Sequence, residues 1–297
     1  MCRKYYNLKI GDLELVKKED IKKIRKKVKD RYNKIAKSLP TQTCNEISND
    51  NRNSANTTRR VSSVIGYSEQ ELDSVPESSN MGLGCGNPVA LASLKEGETV
   101  LDLGSGAGFD CFLAAKKVGK TGFVIGIDIS PEMLKKARKI ALEENYENVE
   151  FREGTIENLP VDDNSINLII SNCVVNLSPD KIKVYQEAFR VLKPGGRIMI
   201  SDIVLLKKLP DFVQGKFEAY TGSGAGAMLK EEYLKVIQNA GFSHVTIVDQ
   251  QPLPVDFFQF NPAVMELVNE INLPVDQINK LASSLLSSVK IKAFKPK

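Results

Sequence analysis

Hydrophobic positions near the start of the chain fall at helical intervals. In residues 19–38, EDIKKIRKKVKDRYNKIAKS, the side chains of Ile21, Ile24, Val28, Tyr32 and Ile35 recur among lysines and arginines. This predicts one amphipathic helix with a basic outer face left to solvent. Residues 40–62 are polar, rich in Asn, Ser and Thr, with almost nothing to bury, and read as a mobile linker. From residue 98 the texture changes. Short apolar runs, VLDLG (100–104), FVIGID (123–128), VEFREG (149–154), INLIIS (166–171) and GRIMISD (196–202), alternate with the helical patterns FDCFLAAKKV, PEMLKKARKIALEE and KIKVYQEAFRVLK. That alternation predicts βαβ units and a parallel sheet. Right-handed crossovers then place helices on both of its faces, a doubly wound α/β fold. Beyond residue 203 the pattern predicts helices at 209–219 and 230–240, a strand at 244–250, a helical stretch at 262–287 and a terminal strand VKIKAFK. The chain thus divides into an N-terminal helix and linker (1–63), a ligand-binding core (64–205) and a C-terminal substrate-side or cover region (206–297). Within the last, 251–288 is read as a sheet cover in preference to a lid.

Charge and cysteine usage narrow the function classes. The 41 basic side chains barely exceed the 37 acidic ones, too balanced for a nucleic-acid binder. No segment approaches the roughly 18 unbroken apolar residues that a membrane span needs, and the first twenty residues show no apolar signal run. A cytoplasmic monomer without nucleic-acid or membrane partners is the expectation. The five cysteines, Cys2, Cys44, Cys85, Cys111 and Cys173, are scattered, form no C-x-x-C pair and have one histidine, His244, for company. That speaks against a structural zinc site or a disulfide framework. Cys111, inside FDCFLAAKK, reads as a small core residue, and His244, opening a strand, as structural.

The strongest local signal is Asp102-Leu-Gly104-Ser105-Gly106-Ala-Gly108-Phe-Asp110. Glycines there let the chain turn sharply from strand to helix and bring a ligand against the backbone. The spacing is G-x-G-x-G and not the G-x-G-x-x-G of dinucleotide sites. Asp102 would repel a pyrophosphate, whereas it would pair with an ammonium group such as the α-amino group of S-adenosylmethionine. Asp128 ends the second strand, twenty residues after Gly108, where an acid accepts hydrogen bonds from ribose hydroxyls. Ile129 follows it. The loop Gly154-Thr155-Ile156-Glu157-Asn-Leu-Pro160 sits at a strand's carboxyl end, placed to close over an adenine ring.

Together with Leu192-Lys-Pro194-Gly-Gly196-Arg, these segments resemble class I, Rossmann-like methyltransferases over residues 98–203. A narrower resemblance lies in Asn80-Met-Gly-Leu-Gly-Cys85-Gly-Asn87-Pro88 and Ser171-Asn172-Cys173-Val-Val-Asn176-Leu-Ser-Pro179-Asp180. With Tyr67, Glu71-Leu72 and Pro76-Glu77, they are similar to the arsenite methyltransferase family. The resemblance implies S-adenosylmethionine as cofactor, with Tyr67, Asp102, Gly104, Ser105, Gly106, Gly108, Asp128, Ile129, Thr155, Ile156 and Asn172 around it. It implies an arsenic(III)–thiol substrate held by Cys85 and Cys173, and a role in arsenic detoxification.

Soft trivalent arsenic binds thiolates tightly. Two thiolates would hold it as a pyramid with its lone pair toward the methyl group, and fixing that geometry supplies most of the catalysis. Cys44 matches the family's N-terminal cysteine. The resemblance implies a disulfide with Cys85 after turnover, reversed by a small thiol reductant such as glutathione or a thioredoxin-like protein. A serine, Ser223, stands where the family has a third arsenic-binding cysteine. The expectation is therefore that methylarsenite, which needs only two thiolates, is handled better than inorganic arsenite. A methyltransferase of an organic small molecule, and a cofactor- or arsenic-binding protein without turnover, are the alternative readings.

Overall fold

The computed structural model describes residues 18–38, 49–208, 226–253 and 274–297. Cys2, Cys44, Ser223, the helix expected at 209–219 and the first part of that expected at 262–287 lie outside the described residues. Seven strands are hydrogen-bonded in the order β3-β2-β1-β4-β5-β7-β6. They are β1 (Thr99–Leu103), β2 (Phe123–Asp128), β3 (Val149–Glu153), β4 (Ile166–Asn172), β5 (Leu192–Leu205), β6 (Ser243–Pro252) and β7 (Leu286–Phe294). The first five pair in parallel, and β7 is antiparallel to both β5 and β6. Strand order reverses between β1 and β4, which opens a crevice at their carboxyl ends.

The helices are α1 (Lys18–Ser38), α2 (Asn49–Val64), α3 (Glu69–Ser74), α4 (Pro88–Leu91), α5 (Phe109–Val118), α6 (Pro131–Glu143), α7 (Lys181–Val191), α8 (Lys230–Asn239) and α9 (Val275–Leu285). Their starts follow from local chemistry. The Ser130 and Asp180 side chains cap α6 and α7 by accepting backbone N–H groups three residues on, and Ser68 with Glu71 forms a reciprocal capping box on α3.

Alternation along the strands sorts the core into two layers. Leu101, Leu103, Ile169 and Ile198 join the cluster that includes Val184, Tyr185 and Tyr233 of α7 and α8. Val100, Leu168, Ile170 and Met199 face the other way, toward Phe112 and Ala115 of α5 and Leu134 and Ala137 of α6. At the amino ends of the strands, Arg197 grips Glu98 through two bonds of 2.6 and 2.8 Å and reaches the Ala92 carbonyl at 3.0 Å.

Two elements depart from expectation. Residues 49–64 are helix α2, not linker. The apolar anchors are few, but Val61 and Ile65 are buried at its end, and Arg59 is paired with Glu69 and Asp73. β5 extends to Leu205 because its pairing with β7 continues to Leu205 opposite Leu286. Of 251–288, the expected cover, residues 254–273 lie outside the described residues. Leu253, Leu285 and Leu286 pack in one cluster with Cys85 and Cys173.

Ile169 lies fully buried in mid-sheet between Leu101 and Ile198. Ile169→Ala is expected to cost about 2–5 kcal/mol, lost methylene burial plus a cavity. In urea melts the midpoint should fall with an unchanged slope; an unchanged midpoint would remove this layer from the core.

Candidate active site

The crevice between β1 and β4 is a cleft of about 1120 Å³, its open mouth included, in the size range of small-molecule sites. Of the residues expected around a cofactor, Tyr67, Asp102, Gly104, Ser105, Gly106, Asp128, Ile129, Thr155, Ile156 and Asn172 all line it. Gly108 does not; it shapes the loop from behind. All three loop glycines hold positive φ angles, 72°, 54° and 94°, a region costly for other residues. At Gly104 a Cβ would stand 2.4 Å from the Val174 side chain, so that position has no room for a larger residue. The loop's N–H groups are tied down: Gly104 and Ser105 donate to the Ile127 carbonyl, and Gly106 donates to Asp128 Oδ2 at 2.9 Å.

One end of the cleft is anionic. Tyr67 Oη donates to Asp110 Oδ1 at 2.7 Å, and Asn172 Nδ2 reaches Asp110 Oδ2 at 3.2 Å. Burial, then the neighbouring Asp110 charge, carries the Asp102 carboxyl well above its usual range. Burial pushes Asp110 up to about 6, against the hydrogen bonds from Tyr67 and Asn172. Two buried carboxyls so close, with no cation of the protein bonded to either among the described residues, suit an ammonium ligand. At the far end Asp128 holds Ser130 N–H and Gly106 N–H, leaving acceptor capacity for hydroxyls. Ser105 Oγ is buried without a hydrogen-bond partner. These donors and acceptors fit a nucleoside that carries an amino-acid tail.

Sequence reasoning had not placed α1 here. Arg25, Val28 and Tyr32 line the cleft, and α1 is fixed across its edge by Arg25–Glu157, Lys29–Glu153 and Lys37–Glu132 ion pairs. The apolar stripe was legible, but not what it covers.

Cys85 and Cys173 meet beside the cleft. Both are 3% exposed, neither is in a disulfide, and their Sγ atoms and a carboxylate oxygen of Asp202 all lie within 4.8 Å of one another. Asn172 makes the meeting possible. Its Oδ1 accepts the Cys85 N–H at 2.9 Å, and its Nδ2 donates to the Gly86 carbonyl at 2.6 Å and to Tyr67 Oη at 2.9 Å. Such close approach needs glycines on either side of Cys85: a Cβ on Gly84 would stand 2.5 Å from Asn172 Nδ2, and one on Gly86 2.1 Å from Ser201 Oγ. Cys173 adopts a left-handed φ of 62°, a strained conformation of the kind that clusters at functional sites. Its N–H is held by the Ser201 carbonyl at 2.8 Å.

Asp202 was missed in the sequence. It ends the run GRIMISD, and an acid there reads as the polar end of a strand. It is fully buried; burial pushes it up to about 6, against hydrogen bonds from Ile203 and Tyr233 and the nearby Lys181 charge. Cys111 is buried in the core against α5's neighbours and donates to Asp102 Oδ2 at 3.3 Å, apart from the other two thiols, as its place in an apolar helix suggested. His244 packs edge-on to Phe294. Among the described residues no helix is long and apolar enough to cross a membrane.

Residues 94–241 match a methyltransferase domain family. The chain is 46% identical over 238 residues to an arsenite methyltransferase of Halobacterium salinarum, covering 78% of this chain and 61% of that protein. It is 31% identical over 251 residues to an arsenite methyltransferase of Mus musculus, covering 80% and 62%. Among solved structures, an arsenic(III) S-adenosylmethionine methyltransferase from Chlamydomonas reinhardtii superposes with a TM-score of 0.58 at 29% identity, over 81% of this chain and 74% of that one. The chain spans about three fifths of the length of these two curated relatives.

The buried acid pair sets a pH signature. An ammonium entering the anionic end favours ionised carboxylates, so binding below about pH 6 must expel a proton and weaken. Calorimetry of S-adenosylmethionine binding in buffers of different ionisation enthalpy should register proton release at pH 5.5 that shrinks as the pH is raised to 7, past the Asp110 value of about 6 and still below the range of the ligand's own α-amino group. Equal proton balance at both would place the ammonium elsewhere.

Proposed function

We propose that this chain, which belongs to the arsenite methyltransferase family, transfers the methyl group of S-adenosylmethionine to trivalent arsenic held by two of its own thiolates. The observation that carries this reading is the approach of Cys85, Cys173 and Asp202 within 4.8 Å, with Cys173 itself on the wall of the cleft. S-adenosylmethionine, when bound, supplies a methyl group on sulfonium sulfur, already activated for transfer. The residues' work is to bind and orient. Asp102 and Asp110 take the ammonium group, Asp128 takes the ribose hydroxyls, and Ile129, Thr155 and Ile156 flank the base. Cys85 and Cys173 replace oxygen ligands of arsenite or methylarsenite; each thiol proton leaves with a hydroxide as water, so no separate base is needed. The apolar side chains of Leu253, Leu285 and Leu286 close the far side of the thiol pair and keep water from competing for arsenic.

The reading includes a cytoplasmic monomer served by a small thiol reductant of the glutathione or thioredoxin type, and a Cys44–Cys85 disulfide after turnover. It takes residues 1–63, 64–205 and 206–297 as N-terminal segment, cofactor-binding core and substrate-side region. With serine at position 223, two thiolates serve methylarsenite better than inorganic arsenite.

Cys173→Ser tests the arsenic chemistry directly. The hydroxyl is nearly isosteric but a hard, poor ligand for arsenic. Methylation of methylarsenite should fall below detection while S-adenosylmethionine affinity stays within about twofold of wild type, since no cofactor contact to the thiol is invoked. Near-normal turnover would contradict the proposed ligand set.

A further inference from the structure

The third member of the thiol cluster has no assigned role. Asp202 stands on β5 beside the end of β4, because Asn172 pairs with Ser201 and the next residues along the chain are Cys173, just past the end of β4, and Asp202. Its carboxylate accepts four hydrogen bonds. Oδ1 receives Asn176 Nδ2 at 2.8 Å and Ile203 N at 2.9 Å; Oδ2 receives Asn176 N at 3.1 Å and Tyr233 Oη at 2.9 Å. A carboxylate has about four lone-pair sites in all, and here each is used. The group is therefore saturated as an acceptor and not free to bond arsenic. It is a fixed negative charge, locked from both β5 and the loop after β4, and supported from α8 through Tyr233, whose own hydroxyl accepts from Tyr185 at 2.9 Å. Lys181 is the neighbouring cation, its ammonium lowered to about 8 by burial and drawn back by Asp202 and Glu157.

We propose that Asp202 is the electrostatic partner of the reacting arsenic: its carboxylate stabilises the positive charge that arrives on arsenic as the methyl group moves. The proposal rests on the arsenic reading above. In the transfer, the arsenic lone pair forms the new As–C bond, and the C–S bond breaks with its electron pair left on sulfur. The sulfonium charge disappears, and arsenic, formally oxidised from the trivalent to the pentavalent state, becomes cationic. The later two-electron return to trivalent arsenic draws on the thiol reductant already named. A charge that migrates toward arsenic calls for an anion beside arsenic, prepositioned and shielded from water, where it acts most strongly. Asp202 satisfies each condition, whereas Asp102 and Asp110 face the opposite requirement at the ammonium end.

The test separates charge from ligation and from folding. Asp202→Asn is compared with Tyr233→Phe, which removes one hydrogen bond but keeps the charge. The Asp202→Asn/Tyr233→Phe double variant removes one donor that would otherwise face the new amide. Folding of each is checked by S-adenosylmethionine affinity. The first readout is methylarsenite binding to cofactor-free protein, followed by tyrosine fluorescence because the chain has no tryptophan. The second is the arsenic coordination shell by X-ray absorption, and the third is the single-turnover methyl-transfer rate at saturation.

Both Asn variants should bind methylarsenite within about threefold of wild type, in a shell of two sulfurs and one carbon, yet transfer about 100-fold more slowly, the scale of losing one preorganised electrostatic group. Tyr233→Phe should keep most of the rate. A rate within threefold of wild type in a folded Asn variant would overturn the proposal. So would an oxygen ligand in the wild-type shell that vanishes in the variants, or a loss confined to methylarsenite affinity. If wild type itself transfers no methyl to arsenic, the underlying reading fails instead.

Discussion

The side-chain amide of Asn172 joins the two halves of the site. Its oxygen takes the Cys85 N–H, and its nitrogen bonds the Gly86 carbonyl, the Tyr67 hydroxyl and Asp110. One buried amide thereby ties the segment entering the core to the carboxyl end of β4, and ties both to the acid pair at the anionic end of the cleft. Thiol pair and cleft share this anchor, so their separation is set by the strand end that carries Asn172. Removing either partner of such a buried bond leaves polar groups unsatisfied, at about 1–3 kcal/mol each. The glycines flanking Cys85 and the left-handed backbone of Cys173 follow from the same demand for close approach.

Around this joint the charges are distributed by task. Acids with lone pairs to spare, Asp102, Asp110 and Asp128, face the cleft, where the proposed cationic, hydroxyl-bearing ligand would complete them. Asp202 has its lone pairs filled by the protein and offers only its field. Leu253, Leu285 and Leu286 pack with the two thiols beside it in one apolar cluster, a low-dielectric surrounding.

The sheet was legible in the sequence because each strand is a short apolar run with a turn at its end, and all five parallel strands lie on those runs, β5 extending beyond its run at both ends. The glycine loop and Asp128 were legible because their chemistry is local: one turn, one acid, a fixed spacing. What escaped depends on distant partners. Helix α2 is too polar for its pattern to announce it, and Val61 near its end and Ile65 just after it are the buried apolar positions among its described side chains. Asp202 reads as the polar end of a strand until β4, α8 and the loop at Asn176 are assembled around it. Val28 and Tyr32 belong to an apolar stripe whose period reveals a buried face but not the cleft beneath it. The pairing of Cys85 with Cys173 came from family resemblance; nothing in their spacing alone predicts that they meet.

The central claim is that these two thiols, and not the third buried one, hold a single arsenic atom. Protein loaded with one equivalent of methylarsenite and then alkylated under denaturant-free conditions reports this by peptide mass spectrometry. The account predicts that Cys85 and Cys173 are protected together, with one arsenic per chain, and that protection of both is lost in Cys173→Ser while the state of Cys111 does not change with arsenic. Protection of only one of the pair, or arsenic retained at Cys111, would contradict it.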